Sequence, residues 1–496
     1  MARAPPRAPP AALRTGSPRA AGTVPEWATR QGSSRRAGSP SQLAPGLFPL
    51  AGLPSQQPGS RAAEKPMASF VDSLRAHPRG FWFVFWGELA ERASFYGMRT
   101  VLALYLLDVL RFEPASAASL MTFFIAACYL APLLGGFIAD RFLGRFGTIA
   151  AFALPYLAGH LVLGAVPTRT GLGIALALLA LGSGAIKPNT STLMGMIYEA
   201  EKKTALLGRA FSYFYAAINV GSALTSLGLP LVRERYGFAT ALAVPAVLMA
   251  VGFGLFVAGR RHYPAEAPRR APTPQERSAA RASIRELMGL FGLIAVFWFV
   301  YDQSASTWIF FARDRADLTL WGHVAITPDQ IQGLNPVFIL MLTPVFNRLW
   351  AWLEARRGAP VPDTTKMRYG FWIVVAAMAG MALAGAAATQ GKVSAWWLIL
   401  ATFVITLAEL CISVVGLELA FRRAAPGTKS AVTGAFLATA FVGDLFGGMF
   451  SQLYGRISPG AYFLVQALLA AGAALAFARV ARSEEKPASP VIAETV

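Results

Sequence analysis

The sequence predicts an all-α membrane protein of twelve transmembrane helices, arranged as two six-helix halves with both termini in the cytoplasm. Three observations predict it. Hydrophobic residues make up 55% of the 496 positions and charged residues only 14%, where a soluble domain carries nearer a quarter charged. Apolar stretches of about 20 residues, the length that crosses a bilayer core, recur along the chain. The second half of the chain echoes the first.

The twelve stretches run approximately over 80–110, 116–140, 147–166, 171–197, 206–230, 239–259, 286–312, 328–350, 368–388, 394–420, 428–453 and 459–480. An even number returns both termini to one side. With that side cytoplasmic, the inner loops and tail from Met67 onward hold roughly 25 Lys and Arg against roughly 8 outside, the asymmetry that sets orientation. The formal charge of +19 sits in tails and loops between apolar runs, which argues for a lipid bilayer as partner and against nucleic acid. The domain reading is 67–259 for the first half, 260–285 for a basic cytoplasmic linker, 286–482 for the second half and 483–496 for a tail. Residues 1–66 are rich in Pro, Ala, Arg, Gly and Ser without periodicity, and read as disordered or as a spurious upstream extension. They lack the apolar core of a secretory signal peptide. The Ala, Arg and Gly bias suggests a bacterial source, hence an inner (plasma) membrane.

The halves correspond in order. FWGELAERAS in the first span is echoed by FWFVYDQSAS in the seventh, the proline of YLAPLLGGFIADR by that of MLTPVFNRLW, and AINVGSAL by FVGDLFGG. A parallel repeat of two six-helix units is the signature of the major facilitator architecture, whose substrate site lies between the halves near the midplane.

Ionisable groups inside apolar helices cost about 2.5–3.5 kcal/mol each at the bilayer centre, so they must face a cavity or a partner. The first span carries Glu88, Glu91, Arg92, Tyr96 and Arg99; at 100° per residue Glu88, Arg92 and Arg99 fall within about 40° of one another. The fourth span carries Lys187 before Pro188 and Asn189, the seventh Asp302 and Gln303, and the tenth Glu409, with Ser413 and Gly416 further along its face. Asn219 and Asn335 add amides, which serve as interhelical glue more often than as ligand contacts. Such an amphoteric cavity suits a zwitterion, with an acid for its amine and a base for its carboxylate. Candidate proton switches are Glu88 or Glu91 with Arg92, Lys187 with Glu409, and Arg99 with Asp302. Four histidines and two cysteines, Cys128 and Cys411, give no metal or nucleophile constellation, so no enzyme is expected. No nucleotide motif occurs; the expected energy source is a proton gradient and no cofactor is expected.

GELAERASFYGMR (87–99) resembles the E-x-x-E-R-F-x-Y/F-Y-G signature of proton-dependent oligopeptide transporters, a family of major facilitators. CYLAPLLGGFIADRFLGR (128–145), GSGAIKPNTSTLMG (182–195), FSYFYAAINVGSAL (211–224), YDQSAST, LNPVF and AELCISVVGLELAFRRAAP are similar to further family segments in the same order, and together cover essentially all of 67–482. The resemblance implies proton symport of di- and tripeptides; a monomer is expected. It implies a proton-coupling cluster of Glu88, Glu91, Arg92, Lys187 and Glu409. It implies a peptide pocket of Arg92, Tyr96, Tyr129, Lys187, Asn219, Asn335, Glu409, Ser413 and Phe436, with Arg92 near the peptide carboxylate and Lys187 paired with Glu409. Arg99 with Asp302 would form an outer gate, and Asp140 with Arg141 a cytoplasmic gating loop. Departures fall at Ala93 in place of Phe, Phe95 for Tyr, Val414 for Pro, Phe436 for Trp, and Asp444 for Asn. Thr122 stands where animal members have a histidine. Other small zwitterions or anions (amino acid, nitrate, drug), or peptide sensing without transport, are the alternative functions.

Overall fold

A computed structural model describes residues 74–266, 273–425 and 428–484. The expected extension 1–66, the centre of the expected linker and nearly all of the tail lie outside the described residues. The described chain is helical almost throughout: α1 Arg79–Asp108, α2 Pro114–Ile138, α3 Gly144–Ala165, α4 Arg169–Ala200, α5 Leu207–Ala258, α6 Pro274–Tyr301, α7 Thr307–Arg315, α8 Ile331–Arg357, α9 Asp363–Ala387, α10 Trp396–Glu409, α11 Val415–Arg423, α12 Lys429–Phe450 and α13 Pro459–Glu484.

Nine helical stretches among the described residues are long and apolar enough to cross a membrane. Two of them, Pro114–Ala165 with 52 residues and Thr204–Ala258 with 55, far exceed the 30 Å core at 1.5 Å per residue, and both fold back at a glycine. Gly144 takes φ 69° at the start of α3 and Gly237 takes φ 81° and ψ 173° inside α5, the latter a region essentially reserved for glycine. The 30-residue α1 is long enough to cross but carries Glu88, Glu91, Arg92 and Arg99. Large apolar side chains such as Leu154, Leu161 and Leu224 stand more than half exposed on the outside of the bundle, the surface a bilayer would cover.

Local sequence chemistry sets the helix ends. The Thr168 hydroxyl accepts from Gly171 N at 3.0 Å at the start of α4. Thr273 and Glu276 form a reciprocal capping box at the start of α6, with bonds of 2.6 and 3.1 Å. Among the N-terminal helices α1 packs along α5, and α4 packs on α2 and α3. Among the C-terminal helices α9 packs on α10 and α13, and α6 on α12. The two sets meet where α2 packs on α12 and α5 on α8.

Short strands occur in the loops after α7 and before α10: β1 Ala316–Asp317, β2 Thr319–Leu320, β3 Val324–Ala325 and β4 Val393–Ser394, pairing as β1 with β4 in parallel and β2 with β3 antiparallel. None of them is legible in the sequence, since two-residue strands carry no period.

Two helices depart from regular α geometry in ways that position side chains. Between α6 and α7, Asp302–Ala305 form a 3-10 turn and Ser306 leaves helical geometry at φ −136°, ψ −79°. Gln303 fixes this break: its amide donates to Gly447 O at 3.2 Å, and its oxygen accepts from Tyr462 at 2.7 Å and Ser451 at 3.2 Å. Between α10 and α11, Leu410–Val414 form a π-turn. It ends at Val414, and such turns favour functional sites.

Candidate functional site

A central cavity opens between the N-terminal and C-terminal helices, with about 1290 Å³ of empty space, part of it open to solvent. Eight of the nine expected pocket residues line it: Tyr96, Tyr129, Lys187, Asn219, Asn335, Glu409, Ser413 and Phe436. Arg99 and Asp302 line it as well. The bases Lys187 and Arg99 come from α4 and α1, and the acids Asp302 and Glu409 from the junctions after α6 and at the end of α10. Charge is therefore sorted by wall, bases on the N-terminal side and acids on the C-terminal side.

The 3-10 turn and the π-turn explain two of these placements. Glu409 stands at the last α-helical residue before the π-turn, and its carboxylate accepts from the Tyr301 hydroxyl at 2.8 Å and from Asn335 Nδ2 at 2.9 Å. Asn335 also donates to the Thr406 hydroxyl at 3.0 Å. The seventh-span break brings Asp302 to Arg99, 3.5 Å from NH2 to Oδ1, with both side chains largely buried.

Two expectations need correction. Arg92 does not reach the cavity. It is 1% exposed and binds Glu88 at 3.1 Å and Glu91. The glutamates border a separate small void among α1, α3, α4 and α5, beside Ile149, Ile186 and Met249. The cause is the crossing of α1 over its neighbours: the charged face meets other helices at Arg92 and the cavity at Arg99. Lys187 and Glu409 share the cavity but form no ion pair with each other among the described residues. The Lys187 ammonium instead lies 4.9 Å from the centre of the Tyr129 ring, a cation–π contact, while Glu409 is held by neutral donors on its own wall.

Of the two loop residues, Asp140 pairs with Arg145, whose guanidinium also donates to Asn189 Oδ1 at 3.0 Å. Arg141 is exposed. Asn189 donates on to Ala185 O at 2.7 Å and Gly135 O at 3.2 Å, so it ties α4 to α2 beside Pro188 rather than facing substrate. His160 pairs with Ser94 at 2.8 Å, and the Ser94 hydroxyl donates to Pro245 O at 2.7 Å. That leaves the imidazole N–H as donor to Ser94, a structural role for the lone histidine of α3.

Sequence reasoning passed over Tyr215, Trp298 and Tyr301, which line the cavity. Tyr301 had a signal: it directly precedes Asp302 in YDQSAST, a segment already marked by its buried charge. It passed over Arg233 and Asp329 entirely. Arg233 donates from Nε and NH2 to the two Asp329 oxygens at 2.9 and 3.1 Å, and Asp329 is fully buried.

The helical bundle, its apolar exterior and its charged internal cavity define a multi-pass integral membrane protein. A family model described as the POT family matches residues 146–286 and 273–465, more than half of the chain, and the chain belongs to that family, whose members are transporters and not enzymes. Peptide transporter 3 of Caenorhabditis elegans is 32% identical over 353 residues, 61% of this chain and 50% of that protein. The uncharacterized transporter YclF of Bacillus subtilis is 24% identical over 452 residues, covering 78% of this chain and 90% of that one. The crystal structure of the POT family transporter PepTSo superposes with a TM-score of 0.72 at 28% identity, over 82% of this chain and 98% of that one. The chain thus spans about half the length of the worm relative and nearly all of the solved PepTSo chain.

Proposed function

We propose that this chain imports di- and tripeptides by symport with protons, working as a monomer by alternating access in a bacterial plasma membrane. The observation that carries the proposal is the sorting of charge across the cavity. A peptide presents a carboxylate and an ammonium a few bonds apart; Lys187 on one wall makes no ion pair among the described residues and rests on the Tyr129 ring, and Glu409 on the other is oriented by Tyr301 and Asn335. The peptide would join the walls, its carboxylate at Lys187 and its amine at Glu409. Tyr96, Tyr129, Asn219, Ser413 and Phe436 would surround its backbone and side chains.

Twelve crossings fit this reading. The nine apolar stretches include two that fold back into a pair each, and α1 adds one more. The proposed halves are 67–259 and 286–482, joined by a cytoplasmic linker at 260–285, with both termini cytoplasmic. Proton coupling is assigned to Glu88, Glu91 and Arg92 with Lys187 and Glu409. Two buried carboxylates share one guanidinium in α1, and the positive charge of Lys187 reaches both. A peptide carboxylate at Lys187 takes up that charge, and a proton on Glu88 or Glu91 replaces it. Arg99 with Asp302 would gate the outer side, and Asp140 with Arg141 the cytoplasmic loop. The proton gradient supplies the energy, without a cofactor.

The test is uptake of labelled dialanine into liposomes holding the purified protein, with and without an inward proton gradient. Concentrative uptake that requires the gradient is the expected result. Binding without accumulation would mark a sensor, and indifference to dialanine a different substrate.

A further inference from the structure

The seventh span and α12 bring together two acids of which only one belongs to the gate pair already described. Gly443 lets α12 press onto α6: a Cβ there would stand 2.4 Å from Ala295 O and 2.8 Å from Phe299 N. One turn on, a Cβ at Gly447 would stand 3.2 Å from Gln303 Nε2. Asp444 lies between these two close approaches, fully buried, with its carboxyl against that of Asp302.

Arg99 reaches Asp302 Oδ1. The remaining Asp302 oxygen and both Asp444 oxygens are buried without any hydrogen donor from the protein. Two ionised carboxylates in contact repel one another strongly, and one guanidinium at 3.5 Å cannot neutralise both. Buried acceptors without donors are also costly. A single proton answers both problems, because it makes one carboxyl the hydrogen donor to the other.

We propose that Asp302 and Asp444 form an acid pair that holds one proton, a proton site separate from Glu88, Glu91 and Arg92. The charged groups facing the pair are Arg99 from α1, Lys187 from α4 and Glu409 from α10. The other titratable groups are Tyr96, Tyr129, Cys128 and Tyr301. When the Arg99–Asp302 contact opens, the pair loses its cation and holds the shared proton more tightly; when the contact re-forms, the guanidinium loosens that hold. The transport role of this site rests on the symport reading above. The proton itself does not.

The experiment is infrared difference spectroscopy of the purified chain across a pH titration, comparing the wild type with Asp444→Asn and Asp302→Asn, beside proton-to-peptide stoichiometry in liposomes. A protonated-carboxyl carbonyl band that titrates in the wild type and disappears in both variants is expected. With it, Asp444→Asn should lower the protons moved per peptide by one while peptide exchange at equal pH continues. A wild-type band set unchanged by Asp444→Asn, or a band that persists at every pH, overturns the proposal, since the latter means a permanently neutral acid. If dialanine is not carried at all, the symport reading fails while the infrared result still decides whether the pair holds a titrating proton. Thermal midpoints of the two near-isosteric variants show whether they fold.

Discussion

The two ends of the bundle are tied differently. At the end that carries the Gly237 turn, contacts join N-terminal helices to C-terminal ones. Arg233 grips the buried Asp329, Arg313 pairs with Asp108 at 2.8 Å, and Gln330 donates to Leu227 O at 3.0 Å. Ser119 donates to Gly448 O at 2.6 Å and accepts from Gln452 at 2.7 Å. At the end where the 260–285 segment lies, the ion pairs Arg145–Asp140, Lys366–Glu354 and Arg422–Asp363 each join neighbours within one set of helices. The Gly237 end is the fastened one in this conformation. In a protein that alternates access, fastening one end is what commits the cavity to the other.

The largest effect should come from removing one side of the buried clasp. Asp329→Ala leaves Arg233 without its partner, a loss of about 3–5 kcal/mol for a buried pair. Spin labels on Arg235 and Asp317 should move apart in the variant; an unchanged distance distribution would mean that the clasp does not hold the end shut. Between the ends, Glu409→Gln removes a charge-assisted contact worth about 1.5–3 kcal/mol, so dialanine affinity should fall roughly tenfold to a hundredfold. Calorimetry with the purified protein reads this, and an unaltered affinity would move the peptide amine off that wall.

At the other end the expected changes are smaller. Glu266 caps α3 by accepting from Arg145 N at 2.6 Å and Phe146 N at 3.0 Å. Glu266→Ala should cost about 1 kcal/mol, as for other helix caps, seen as a modest drop in thermal midpoint with the Arg235–Asp317 distance unmoved. His77 is smaller still. It is buried beside Tyr198, and burial, then Arg209 and Lys203, push its imidazole below the ordinary value. A depressed histidine stabilises the fold while neutral, so its contribution is whole above about pH 6.5 and is lost as pH falls through the lowered value. The wild type should therefore lose thermal stability on acidification more steeply than His77→Gln; parallel curves would remove His77 from the account.

Much of the bundle was legible because lipid imposes one demand, an apolar run of fixed length, and because a charge in such a run is rare. That is why the cavity residues on α1, α4, the seventh span and α10 could be named from sequence. Arg233 and Asp329 could not: both lie near the ends of helices, where charges are ordinary, and their pairing across 96 positions depends on how α5 and α8 meet. Arg92 was misplaced for a related reason. A helical wheel gives the side of a helix but not which neighbour that side meets along its length. His77 reads as a loop residue by its surroundings in sequence, yet Phe81, Tyr198 and Tyr213 enclose it.

The corner at Gly237 has a consequence for where the chain can be altered. A Cβ at that position would meet nothing within 4 Å, so no crowding forbids a side chain there; only the backbone angles do. With one residue as the whole corner, the segments 207–236 and 238–258 are joined as a single hairpin, and the only residue between them is one whose backbone angles exclude a side chain. Epitope tags or protease sites placed there would break that corner, whereas the exposed turn at 389–392 offers a site where an insertion meets only surface.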